Sequence, residues 1–119
     1  MTRQGYRELR VWQRSMDLML EAYRLAGRLP PHEAYGITSQ LRRSAISVPL
    51  NISEGAGRLH RGDFLRFLSI ARGSLKEVDT CIEAARRLAY LAPDETICID
   101  EHIDHVSRML TRLIARMRG

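Results

Sequence analysis

Apolar residues recur at steps of three and four along almost the whole chain, and that spacing leaves room for little besides helices. Leu9, Trp12, Met16, Met19, Tyr23 and Ala26 step 3, 4, 3, 4, 3, which sets them on one helical face. Gly27 and Pro30-Pro31 end that helix, because proline cannot continue it. A second stripe runs Ile37, Leu41, Ala45, Val48, Ile52 and stops near Gly55 and Gly57. The third is the longest: Phe64, Leu68, Ala71, Leu75, Val78, Ile82, Ala85, Ala89. Asp63 stands where an N-cap or first-turn acid is favoured. The fourth runs Ile99, Ile103, Val106, Leu110, Leu113, Met117. Asp94 and Glu95 are read into its first turn and Arg116 and Arg118 into its last, both suiting the helix dipole. No window alternates with the period of two that a half-buried strand needs.

Four such stripes with short connections predict an all-α, up-down-up-down four-helix bundle. At 119 residues the chain makes one domain, 1–119. Pro49 falls inside the second helix. It is expected to kink that helix or to divide it into two shorter ones. The helices around 61–90 and 94–117 are expected to form the tightest hairpin, since few residues separate them. Gly73 interrupts the third helix at a cost of about 1 kcal/mol against Ala, which a close helix approach there would explain.

Several function classes are excluded or disfavoured. Two cysteines do not make a disulfide framework, and Cys81 and Cys98 are read as small apolar packing residues. No apolar run approaches the ~18–20 residues of a membrane span. No apolar segment with a small-residue cleavage site follows the first basic residues. The expectation is a soluble, cytoplasmic protein. The glycines of "EGAGR" lack the preceding strand and the following Gly-Lys-Ser/Thr of a phosphate loop, and read as a helix end. His102 and His105 sit at i, i+3 beside Glu101 and Asp104, a spacing that could present two imidazoles to a metal. No second ligand pair completes such a site, and they read as solvent-exposed. No cofactor, no metal and no catalytic residues are assigned, and the chain is not read as an enzyme.

Charge is more telling. The formal net charge is +5, with 18 Arg and one Lys. Residues 1–72 hold twelve Arg against six acids, whereas residues 73–107 hold three basic groups against eight acids. Arg3, Arg7, Arg10 and Arg14 are spaced 4, 3, 4, and Arg108, Arg112 and Arg116 are spaced 4, 4. In a bundle these two stripes can meet, and Arg58, Arg61 and Arg66 can add to them at a loop. Such a surface attracts polyanions; the alternative is a solvated helical face. With few aromatics to stack on bases, backbone contact without sequence readout is expected.

The second helix carries another line: Gln40, Arg43, Ser47, Asn51, Glu54, Arg58, at steps of 3, 4, 4, 3, 4. Glu54 and Arg58 are in the favourable i, i+4 order. This line is a wet face, a buried or intersubunit polar network, or a ligand site.

The same residues carry a family resemblance. "LRVWQRSMDLMLEAYRL", "LPPHEAYGITSQLRRSAISVPLNISEGAGR" and "FLRFLSIARGSLKEVDT" resemble the bacterial four-helix-bundle proteins encoded in intervening sequences of the 23S ribosomal RNA gene, also labelled ribosomal-protein-like. A more distant similarity is to the accessory variability determinant of diversity-generating retroelements. The resemblance spans roughly residues 6–92, and its motif falls on Gln40, Arg43, Ser47, Asn51, Glu54, Gly55 and Arg58. It implies a bundle that assembles as a ring or barrel of five subunits, without known enzymatic activity. For the retroelement relatives it implies a nucleic-acid-binding basic surface and a reverse transcriptase partner. Five copies would raise the charge to about +25, and clustered charge releases counterions from a polyanion. The reading is a non-enzymatic homo-oligomer, a homopentameric scaffold or adaptor, with RNA or DNA as partner through its basic helical faces. The alternative is a protein-binding module that docks a partner through the polar line of the second helix.

Overall fold

The computed structural model describes residues 5–119; Arg3 lies outside them. Four helices make up the fold: α1 Arg10–Ala26, α2 Ile37–Ala56, α3 Arg61–Arg87 and α4 Ile97–Arg118. Short 3-10 turns precede three of them, at Gly5–Glu8, Pro31–Glu33 and Pro93–Thr96. Each helix packs on the one before it, and α4 closes against α1. The result is the up-down-up-down bundle that the stripes predict, with extents of 43 × 23 × 20 Å.

The stripes of α2, α3 and α4 meet at the centre. Leu41, Val48, Ile52, Leu68, Val78, Ile82, Ile99, Val106 and Leu110 are fully buried. The face of α1 is different from the expected one. Its buried residues are Val11, Ser15, Leu18, Ala22 and Leu25, at steps of 4, 3, 4, 3, together with Ala26, the one buried member of the expected stripe. The stripe Trp12, Met16, Met19, Tyr23 sits on the shoulder of the core, and Tyr23 is 39% exposed. The helix carries a wide apolar arc, and Ser15 and Ala22 conceal its true centre. Ser15 is accommodated because its hydroxyl donates to the Trp12 carbonyl at 2.7 Å, which satisfies the buried oxygen.

α2 is one helix with Pro49 buried inside it. The proline removes the N–H that would meet the Ala45 carbonyl, and the two halves stay joined. The tightest pairing is α2 with α3, not α3 with α4. Small residues explain this better than loop length. A Cβ on Gly55 would stand 2.8 Å from Phe67 Cβ and 2.9 Å from Phe64 Cδ1, so the backbone of α2 lies against the side chains of α3. Ser47 and Ser74 touch across the same seam, Oγ to Oγ at 2.7 Å.

Gly73 is not part of this seam. It is exposed, and a Cβ there would meet nothing within 4 Å. The close approach expected at this position is absent among the described residues, so the cost of a glycine in a helix interior stands uncompensated. Gly73→Ala is expected to raise stability by about 0.5–1 kcal/mol, read as a higher denaturant midpoint at unchanged slope.

α3 ends at Arg87, before the last member of its apolar stripe. Ala89 lies outside the helix, exposed, with φ 60°. The Tyr90 N–H donates to the Ala85 carbonyl at 2.9 Å and the Ala89 N–H to the Arg86 carbonyl at 3.0 Å. That pair of bonds is a Schellman turn, in which the left-handed residue is ordinarily glycine. An alanine there costs about 1–2 kcal/mol. Ala89→Gly should therefore stabilise the protein by about 1 kcal/mol, and a lower melting temperature would contradict this account.

α4 also starts later than its acids suggest. Asp94 and Glu95 belong to the 3-10 turn Pro93–Thr96, and Asp100 is the acid in the first turn of α4. Glu95 instead accepts from the Ala92 N–H at 2.8 Å and pairs with Arg28 at 2.6 Å.

Candidate nucleic-acid interface

Alternating helix direction brings the start of α1, the end of α2, the start of α3 and the end of α4 to one end of the bundle. Residues 5–16, 52–68 and 106–119 form this end and hold ten arginines against three acids, Glu8, Glu54 and Asp63. The opposite end, residues 21–37 and 82–102, holds four arginines against seven acids. The sequence scatters these charges, and only the topology sorts them.

The two ends also differ in pairing. At the acid-rich end Arg24 meets Glu21 at 2.7 Å, Arg87 meets Glu83 at 2.9 Å, and Arg86 bridges Glu83 at 2.9 Å and Asp100 at 3.0 Å. The hydrogen bond from Arg24 holds the Glu21 carboxyl below its usual range, and Arg87 and Arg86 do the same for Glu83. At the arginine-rich end the only ion pair among the described residues is Arg58 with Glu54, at 3.2 Å. Arg7, Arg10, Arg61, Arg66, Arg108, Arg112 and Arg116 are exposed and meet no carboxylate among them.

These residues form two groups. Arg10, Arg112 and Arg116 line one cleft of about 720 Å³ between α1 and α4, with Leu9, Val11, Met109 and Leu113 as its apolar walls and Glu8 as the one carboxylate in its lining. The first and last arginine stripes therefore do meet. Arg14 extends the group along α1, where its guanidinium lies 2.7 Å from His105 Nδ1. Arg58 and Arg66 belong to the α2–α3 side, stacked over Phe67 at 5.0 and 4.5 Å, and Arg61 starts α3 beside them. Asp63 is the first-turn acid of α3, one turn after the N-cap His60. Arg7 rests on the Tyr6 ring at 5.8 Å.

The polar line of α2 divides. Gln40 donates to Glu77 at 3.3 Å, and Asn51 donates to the Ser47 carbonyl at 2.8 Å and to its hydroxyl at 2.9 Å. With Ser47 on Ser74, these three face the α3 seam. Arg43, Glu54 and Arg58 stay exposed. Ser47 and Asn51 make a part-buried network with Ser74, Gln40 bonds across the seam at the surface, and the rest of the line is a solvated face.

Other chemistry is sparse. Cys81 is buried, and burial pushes its thiol above the usual range. Cys98 is exposed rather than packed, because it precedes the buried Ile99 on α4. His102 is half-buried with its Nδ1 unpartnered, so the pair of histidines is not simply solvent-facing. Among the described residues, no three His, Cys, Asp or Glu side chains converge. At the acid-rich end Tyr90 donates to Glu33 at 3.0 Å and lies 3.0 Å from His32 Nε2. Glu33 also accepts from the Ile37 N–H at 3.2 Å, so this cluster clamps the start of α2. The bond to Glu33 raises the Tyr90 hydroxyl above its usual range. No helix is long and apolar enough to cross a membrane among the described residues.

The chain matches the family described as 23S rRNA-intervening sequence protein over residues 7–112. Its fold is similar to a crystal structure from Bacteroides thetaiotaomicron VPI-5482, of a protein with unknown function from the S23 ribosomal protein family. The two are 23% identical with a TM-score of 0.81, over 87% of this chain and 97% of that one. No curated protein matches.

Proposed function

As the chain belongs to the 23S rRNA-intervening sequence protein family, we propose that it is a homo-oligomeric scaffold, a ring of five copies, that binds nucleic acid through the arginine-rich end of each bundle. The segregation of arginines carries this reading. Cations at the acid-rich end are neutralised by carboxylates, whereas those at the other end are left for a polyanion. Contacts are to phosphates, which fix position without reading sequence. The protein acts by binding and brings no catalytic group to its ligand.

The shoulder of α1 supports self-association. Trp12, Met16, Met19 and Tyr23 are only partly covered, and Leu20 is 62% exposed. Arg42 lies over the Tyr23 ring at 5.9 Å, which marks the seam with α2, where Ile46 and the exposed Leu50 follow Arg42 at successive i+4 steps. An apolar strip of this kind marks a protein contact more often than a solvent face.

The test is a fluorescence anisotropy titration with labelled duplex DNA and structured RNA, from low to physiological salt, on protein of measured mass. Phosphate binding should weaken linearly in log–log form, by about 0.9 per phosphate contacted. Absence of binding at low salt would refute the scaffold reading, and a monomeric mass at micromolar concentration would refute the ring.

A further inference from the structure

We infer that the α1–α4 cleft receives one unstacked nucleotide, with its base between Leu9, Met109 and Leu113 and its flanking phosphates on Arg10, Arg112 and Arg116; this rests on the nucleic-acid reading above. The cleft joins two kinds of surface that a single simpler ligand would not need. A phosphate alone has no use for apolar walls, and an apolar molecule has no use for three guanidinium groups. At about 720 Å³ the cleft is of the size that takes a small organic group, about 300–1,000 Å³. Leu9, Met109 and Leu113 are incompletely covered, so a base laid on them removes apolar surface from water. The arginines continue beyond the cleft, to the exposed Arg7 past one end and the exposed Arg108 past the other. A small amphipathic anion would leave these unused, whereas a chain of phosphates would not.

A regular duplex cannot fill this site. It presents a convex phosphate surface and hides the faces of its bases in the stack. Bases that are bulged, looped or single-stranded can be splayed out and held on a protein surface. The cleft therefore separates nucleic acids by shape, at a place where the rest of the arginine field accepts any phosphate backbone.

The experiment compares two labelled RNAs at one salt concentration: a perfect duplex, and the same duplex with one bulged nucleotide. Their phosphate charge is nearly matched, so the field contributes equally to both. The bulged RNA is expected to bind about tenfold more tightly, an effect of the size that burying part of one apolar group supplies. Met109→Gln and Leu113→Gln should each erase most of that preference and leave the perfect-duplex affinity within about twofold. Thermal unfolding checks that each variant is folded, and Met109→Gln alone decides the matter if Leu113→Gln is not. Equal binding of the two RNAs, indifferent to both variants, overturns the cleft assignment while the scaffold reading stands. Binding of neither RNA at low salt overturns both.

Discussion

Replacing Arg10, Arg112 and Arg116 together by Gln should weaken binding to the bulged RNA duplex roughly a hundredfold at about 0.15 M salt, and more than a thousandfold near 0.05 M. The magnitude follows from counterion release. Each lost phosphate contact removes about 0.9 from the log–log salt slope, so three flatten it by about 2.7. The release contribution vanishes near 1 M salt, and extrapolation down from there gives the two figures. The informative control changes net charge equally at the other end: Arg24, Arg28 and Arg87 to Gln. Those arginines already face Glu21, Glu95 and Glu83. Exposed pairs of this kind contribute only about 0–1 kcal/mol to stability, so the control should fold and retain affinity within a few-fold. Equal losses in the two triple variants would mean that net charge alone attracts the ligand and that the sorted end has no special part.

Gly55→Ala is expected to destabilise the bundle by about 2 kcal/mol, the middle of the range for overpacking. At this chain length that corresponds to a melting temperature roughly 10 °C lower. The added methyl meets Phe67 Cβ and Phe64 Cδ1 inside 3 Å, with the Phe64 carbonyl oxygen at 3.3 Å. The phenyl ring of Phe64 can turn aside, but a Cβ and a backbone oxygen move only with the helix. The seam must open, and the Ser47–Ser74 contact opens with it. Gly57→Ala is the matched comparison, two residues on. That glycine is exposed, its φ is −82°, and an added Cβ lies 3.7 Å from the nearest atom. It should be neutral or slightly stabilising. If Gly55→Ala melted with the wild type, α2 and α3 would have to be free to part without loss, contrary to the packing seen.

The fold was legible because the stripes of α2, α3 and α4 run along the faces those helices bury, although in α4 Ile114 is buried where the stripe has the half-buried Leu113 and Met117. α1 is apolar over a wider arc, and its largest side chains lie at the edge, so spacing alone picked out Trp12 and Met19 instead of Leu18 and Leu25. Ala89 fits the α3 stripe by spacing alone. Nothing in the residue itself signals a left-handed turn, which glycine would have done. Loop length misjudged the closest pair of helices, since interaxial approach depends on Gly55, Ser47 and Ser74 rather than on how soon the chain returns. The arginine stripes were visible one by one, and the meeting of Arg10 with Arg112 and Arg116 followed from an even number of antiparallel helices. The apolar walls of their cleft were not visible, because Leu113 reads as an ordinary core position and Met109 falls outside the stripe. The division of the polar line was equally hidden. Whether Asn51 points at a serine one turn back or at solvent depends on the rotation of α2 against α3.

Sorting the arginines to one end of a particle 43 Å long also makes the bundle an electric dipole along its axis. The centre of positive charge is displaced from the centre of negative charge toward the arginine-rich end, and within about 8 Å of that end, the screening length in physiological salt, the field is positive. A molecule drifting toward a polyanion would be turned by that field before contact and arrive end-first. Copies set side by side with their axes parallel would add their dipoles, giving a disc with one attractive and one repellent face. Such a disc would capture nucleic acid on one side only, leaving the other free.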